Sequence, residues 1–123
     1  MAPGILILLA RILLSAIFIF SGYGKIIGYA GTEAYMQQNG VPGMLLPAVI
    51  AVELLGGLAI LFGLWSRYAG LALALFTLVA AALFHNNFAD QMQMTNFMKN
   101  VAMAGGLLLL FANGSGRYAI KPD

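Results

Sequence analysis

The side chains able to do chemistry are few, and their placement is unusual. The 123 residues include six Lys or Arg, four Asp or Glu and one His. Most of these sit inside, or at the rim of, long apolar runs. Arg11 interrupts ILILLARILLSAIFIF, and Lys25 closes the same stretch. Glu53 stands within LLPAVIAVELLGGLAILFGLW, His85 ends LALALFTLVAAALFH, and Lys99 with Asn100 opens the last run. Ionisable groups are costly in hydrocarbon, so those retained there usually face a bundle interior and serve a function. A carboxylate, an imidazole and several N–H donors together suit the binding of an oxygen-bearing head group and the movement of a proton.

These residues are carried by four expected membrane spans: about 5–27, 44–64, 68–85 and 97–112, the last starting earlier if it is to cross fully. The expected fold is therefore all-α, an integral membrane four-helix bundle forming one domain over residues 1–123. Pro47 falls in the first turn of span two, where its missing N–H costs least. The first loop, 28–43, reads as a short interfacial helix capped by Thr32, with Glu33 in its first turn and a stop at Asn39-Gly40. Thr95 or Asn96 is the expected cap of span four. Trp65-Ser66-Arg67 reads as a tight turn between antiparallel neighbours. The N-terminal stretch lacks a basic n-region and a cleavage signal, so it reads as a retained span.

Composition excludes whole classes of function. Hydrophobic residues make up 62% and charged residues 8%, against roughly 25% charged in a soluble domain. The expected environment is thus the lipid bilayer. A formal net charge of +2 without a basic stripe excludes a nucleic-acid partner. With no cysteine, thiol exchange, disulfides, thiolate metal sites and iron–sulfur ligation are excluded, and one histidine excludes a bis-His haem within the chain. Met92, Met94 and Met98 near His85 raise the idea of a soft Cu(I) site, but a single imidazole and the ordinary use of Met as filler weigh against it, so no metal site is assigned.

Orientation follows from Arg67, Arg117 and Lys121, which gather on the side holding both termini. The positive-inside rule puts that side, with both termini, in the cytoplasm of a multi-pass membrane protein. Along span one, Arg11, Ser15, Phe18, Gly22 and Lys25 recur at helical spacing and define one inward face. Glu53 falls ~10–13 Å below the outer interface by helix rise. The candidate site therefore lies in the outer half, with Glu53 at its floor, Lys25, Lys99, Asn100 and His85 around it, and Arg11 reaching from below. Glu53, Lys99 and His85 are the candidates for proton and hydrogen-bond chemistry; Lys25, Asn100 and Arg11 are the candidates for ligand binding. The same residues also suit a buried ion pair that only fixes helix register.

The order of these motifs resembles the DoxX family. The resemblance rests on the span-one Arg, Ser21-Gly22-Tyr23-Gly24-Lys25, Ala34-Tyr35 before Gly40-Val41-Pro42, and Glu53-Leu54-Leu55-Gly56-Gly57. It continues through the Arg67 turn, Leu83-Phe84-His85, Met98-Lys99-Asn100 and Gly116-Arg117-Tyr118, covering nearly the whole chain. Within the family it is most similar to the small bacterial inner-membrane members. The resemblance implies a four-span membrane protein. The family name comes from a subunit associated with a thiosulfate:quinone oxidoreductase, many members carry only a general label of oxidoreductase or inner membrane protein, and animal relatives act as membrane chaperones in receptor assembly.

Three functional expectations follow. In the first, the chain is a redox-linked subunit, carrying no cofactor of its own and taking a quinone head group in the outer-half pocket. In the second, it is a non-catalytic assembly protein with a protein partner. In the third, it is a homo-oligomer that carries protons or a small solute.

Overall fold

The computed structural model describes residues 4–123; residues 1–3, the start of the domain expected over 1–123, lie outside them. Five helices follow one another: α1 (Gly4–Ile27), α2 (Tyr29–Gln38), α3 (Leu46–Phe62), α4 (Ser66–Phe84) and α5 (Gln91–Asn113), with a 3-10 turn at Gly43–Leu45 leading into α3. Four segments are long and apolar enough to cross a membrane: α1, the 3-10 turn plus α3, α4 and α5. There is no strand among the described residues; a lone parallel bridge joins Leu64 to Lys121. The all-α membrane bundle expected from the sequence is the fold observed.

α1 packs along α3, α4 packs along α5, and α3 joins the two pairs through α4. The face of α1 set by Arg11, Ser15, Phe18 and Gly22 is its buried face. Close approach of α1 and α3 depends on two glycines. A Cβ on Gly22 would lie 2.7 Å from Leu54 Cγ, and one on Gly57 would lie 2.9 Å from Ile19 Cγ1. Small residues at such seams let backbones approach in lipid, where no hydrophobic force drives helices together. The apolar core is Phe18, Ile60, Leu73, Ala74, Ala104, Leu107 and Leu110. Leu13, Phe20 and Leu109 instead point outward at 75%, 77% and 72% exposure, while Arg11, Ser15, Glu53, Thr77 and Ser115 are buried. A soluble protein does the reverse with its charges; this distribution matches lipid outside and polar groups inside.

Helix ends differ from expectation in three places. α2 begins at Tyr29, so Thr32 lies within it and caps nothing. The N–H of Gly28 donates to Gly24 O and that of Thr32 to Gly28 O, both at 2.9 Å, so helical hydrogen bonding carries across the joint and leaves little for a side-chain cap to do. α5 begins at Gln91 rather than near Phe97, because Asp90 Oδ1 accepts the Met92 N–H at 2.9 Å; Thr95 instead donates from Oγ1 to Gln91 O. Its 23 residues span ~34 Å, enough to cross a bilayer core of ~30 Å. The α3–α4 turn is shifted: Gly63 ends α3 in the left-handed region (φ 74°) and Leu64 N–H returns to Ala59 O at 2.8 Å, so Ser66 and Arg67 already belong to α4.

After α5 the chain doubles back beneath the bundle. The N–H groups of Ile120 and Lys121 donate to Phe62 O and Gly63 O, each at 3.0 Å. Asp123 is held at this end by N–H donors from Arg67 and Ser115, both at 3.0 Å.

Candidate functional site: an apolar cavity with a few polar groups in the loop half of the bundle

A cavity of about 390 Å³ opens in the half of the bundle that carries α2. Helical spacing brings its polar wall together. Ser21 and Lys25 are one turn apart on α1, and Lys25 Nζ donates to Ser21 Oγ at 2.6 Å. The same ammonium lies 2.8 Å from Glu53 Oε1 on α3. That contact is ionic rather than a directed hydrogen bond, since Oε1 accepts none with good geometry. Glu53 is 4% exposed, so without Lys25 its carboxyl would be buried with no cation beside it.

The opposite wall belongs to α4 and α5. Thr77 and His85 line the cavity, and neither Thr77 Oγ1 nor His85 Nδ1 has a hydrogen-bond partner among the described residues. Buried polar atoms are normally satisfied, so these two are poised to bond whatever occupies the space. Asn100 lines it as well and donates a long 3.5 Å hydrogen bond from Nδ2 to Thr77 O. Between the polar groups the wall is apolar, with Phe18, Val49, Phe76 and Met103. Tyr35 and Met36 of α2 also line it; Tyr35 stacks on Phe84 with ring centroids 5.5 Å apart.

Of the residues proposed from the sequence, Glu53, Lys25, His85 and Asn100 come together at this cavity. Two do not. Lys99 is exposed and absent from the cavity wall; one residue before Asn100, it is turned about 100° away on the helix. Arg11 does not reach Glu53. Its Nε donates to Ile60 O at 2.9 Å, its Nη1 to Ser115 O at 2.8 Å and Tyr118 O at 2.7 Å, and its Nη2 to Leu61 O at 2.9 Å. The guanidinium thus binds two carbonyls of the last turn of α3 and fixes the returning tail, a task its planar fork of donors suits. Ser21, Thr77 and Tyr35 were not picked out from the sequence. Thr77, the lone hydroxyl in LALALFTLVAAALF, carried a signal; Ser21 carried one through its four-residue spacing from Lys25.

Among the described residues, no cluster of His, Asp and Glu is arranged to hold a metal ion.

Comparison with known proteins adds family and relatives. The DoxX family model matches residues 6–86. The chain is 54% identical over 114 residues to "Inner membrane protein YqjF" of Escherichia coli strain K12, covering 93% of this chain and 88% of that one. It is 36% identical over 126 residues to "Inner membrane protein YphA" of the same strain, covering 97% and 90%. A 76-residue match at 36% identity links it to "Putative oxidoreductase CatD" of Bacillus subtilis strain 168, covering 62% and 56%. No solved structure matches the chain at a significant level.

Proposed function

The chain belongs to the DoxX family, and from that premise we propose that it is a redox-linked subunit of the bacterial inner membrane whose cavity takes the head group of a quinone. The observation that carries this reading is the meeting of a buried Glu53–Lys25 pair with the unpartnered Thr77 Oγ1 and His85 Nδ1 around one apolar-walled space. A space of about 390 Å³ lies within the usual 300–1,000 Å³ of small-molecule sites. The name of the Bacillus subtilis relative supports a redox setting. When bound, a quinone would supply two-electron, two-proton chemistry, with a redox partner protein exchanging the electrons.

The chain's own residues then have distinct tasks. Lys25 and Thr77 donate to ring oxygens from opposite walls. His85 Nδ1 offers a further contact at the α4 end. Glu53 holds or returns a proton at Oε1, with Lys25 balancing its charge. Tyr35 and Met36 restrict water at the mouth. The end of the bundle carrying Arg67, Arg117 and Lys121 faces the cytoplasm in this reading.

The test is quinone-analogue binding to the purified protein in nanodiscs. Glu53→Gln and Thr77→Val should each weaken binding at least tenfold, while Lys99→Met should bind like the parent. If Glu53→Gln and Thr77→Val also bind like the parent, the reading fails. One observation favours a second reading, a non-catalytic assembly protein: the Lys25 ammonium already joins α1 to α3 through Ser21 and Glu53. That reading predicts a stable co-purifying membrane protein and a partner complex unaffected by Thr77→Val.

A further inference from the structure

A second concavity lies on the other half of the bundle, along the seam between α1 and α5. It has a volume of about 540 Å³ and an almost wholly apolar wall. Ala10 and Gly106 line it with small side chains, and Leu6, Leu13 and Leu109 line it as well, turned toward lipid. The seam narrows where Leu14 packs over Gly106, its Cδ2 lying 3.2 Å from where a Cβ would sit. From Leu6 to Leu14 the groove runs ~12 Å by helix rise. That is close to one leaflet of a hydrocarbon core ~30 Å thick, and far short of what a partner helix crossing the whole membrane would cover.

The open end of the groove is basic. Gly116 packs on Ile7, and the Arg117 stem lies over Gly4, with Cγ 3.0 Å from an added Cβ. Arg117 therefore stands one turn beyond the groove's end, stacked 5.1 Å from the Tyr118 ring. No carboxylate pairs with it among the described residues. Arg67 Nε is buried without a hydrogen-bond partner and lies 3.1 Å from an added Cβ on Gly114, a residue of the groove wall. Asp123 offsets part of the Arg67 charge but is occupied by the N–H groups of Arg67 and Ser115. Arg11 also touches the groove, but its guanidinium is spoken for by four carbonyls. Lys121 lies over the Trp65 ring. This end thus carries four basic side chains (Arg11, Arg67, Arg117 and Lys121) and one acidic side chain, Asp123, whose main-chain carbonyl also lies against Gly114 beside Arg67.

We infer that the α1–α5 groove is a binding site for one anionic glycerophospholipid, with an acyl chain along Ala10 and Gly106 and the headgroup phosphate on Arg117, assisted by Arg67. The apolar length fits a single chain within one leaflet, and the uncompensated cation sits where that leaflet's headgroups begin. This site is separate from the Glu53 cavity and does not depend on the quinone reading.

The experiment is native mass spectrometry of the full chain, extracted into detergent and titrated with dioleoyl phosphatidylglycerol or dioleoyl phosphatidylcholine. The parent should retain phosphatidylglycerol at one copy per chain, about fivefold more tightly than phosphatidylcholine, as expected for one basic side chain at a membrane surface. Arg117→Gln should abolish the preference, Arg117→Lys should keep most of it, and Ala10→Phe should reduce retention of both lipids by filling the groove. Equal retention of the two lipids by the parent, or an unchanged preference in Arg117→Gln, would overturn the proposal. So would efficient disulfide crosslinking between two copies of Ala10→Cys in native membranes, which would show that a second chain covers the groove. Unchanged melting of each variant separates loss of binding from loss of fold.

Discussion

Lys25 Nζ stands 2.8 Å from Glu53 Oε1, linking the last turn of α1 to the middle of α3 at the wall of the cavity. The two partners are unequally placed: the Lys25 side chain is 26% exposed and that of Glu53 6%. Lys25 reaches solvent or headgroups at the mouth if it loses its partner; Glu53 has no such escape.

The loss of either partner should therefore be asymmetric. Lys25→Met leaves a buried carboxylate and should destabilise the protein by about 3–5 kcal/mol, the usual cost of breaking a buried pair. Glu53→Gln should cost about 1 kcal/mol, because the lysine can resolvate. The double variant should recover most of the Lys25→Met loss. Melting curves in one detergent measure all three, and equal losses in the two single variants would contradict the burial argument.

Arg11 gives the opposite kind of prediction, a large structural effect remote from the cavity. Each of its hydrogen bonds has a charged donor, worth about 1.5–3 kcal/mol in favourable cases, and four carbonyls lose that donor together. Arg11→Met should lower stability by several kcal/mol and raise hydrogen exchange across residues 114–121. Arg11→Lys should recover little, since an ammonium lacks the planar fork. Ligand binding at the Glu53 cavity by the folded fraction should not change.

The contrast between Arg11 and Glu53 shows what the sequence could tell. Helix number and the inward face of α1 were legible, because charge in an apolar run marks the interior and four-and-three spacing marks one side. That Glu53 and Lys25 lie in the same half of the bundle followed from their depth, but which of Lys25, Lys99 and Arg11 meets Glu53 did not. The destination of Arg11 was not legible, because its acceptors are backbone carbonyls, which every residue has. Lys99 was misplaced for a related reason: composition fixes height in the membrane but not rotation about the helix axis. Asp90 was missed as the cap of α5 because the polar turn before Gln91 has no apolar period to mark where the helix begins.

Asp123 makes docking of the tail pH-dependent. Burial works against its ionised form, yet hydrogen bonds from the Arg67 and Ser115 N–H groups and the nearby Arg67 charge hold its carboxyl below the usual range. A group whose folded pKa is depressed contributes stability above its unfolded pKa and loses it as pH falls through the folded value. Trp65, the only tryptophan, lies 4.5 Å beneath the Lys121 ammonium and reports on the tail. Its emission should hold steady from neutral pH to about pH 4 and change only below. Asp123→Asn should show the undocked emission throughout.

Two glycines should respond in opposite directions to the same change. Gly63→Ala places a methyl group on a left-handed residue (φ 74°) and drives it into Ala119; the backbone cost alone is about 1–2 kcal/mol. Gly105 lies within α5 with nothing within 4 Å of an added Cβ, so Gly105→Ala should stabilise the helix by up to about 1 kcal/mol. Melting temperatures of the pair, compared with the parent, test both signs.

The fastening at Arg11 also bears on how the protein is made. Arg11 enters the bilayer with the first helix, but two of its acceptors, Ile60 and Leu61, are synthesised about fifty residues later and the other two, Ser115 and Tyr118, more than a hundred residues later. Until α3 is made, Arg11 has none of these acceptors, and only after Tyr118 is added does it have all four. The first span of this bundle is thus fastened from its far end: a chain ending after α5 has every span but lacks two of the four acceptors of Arg11.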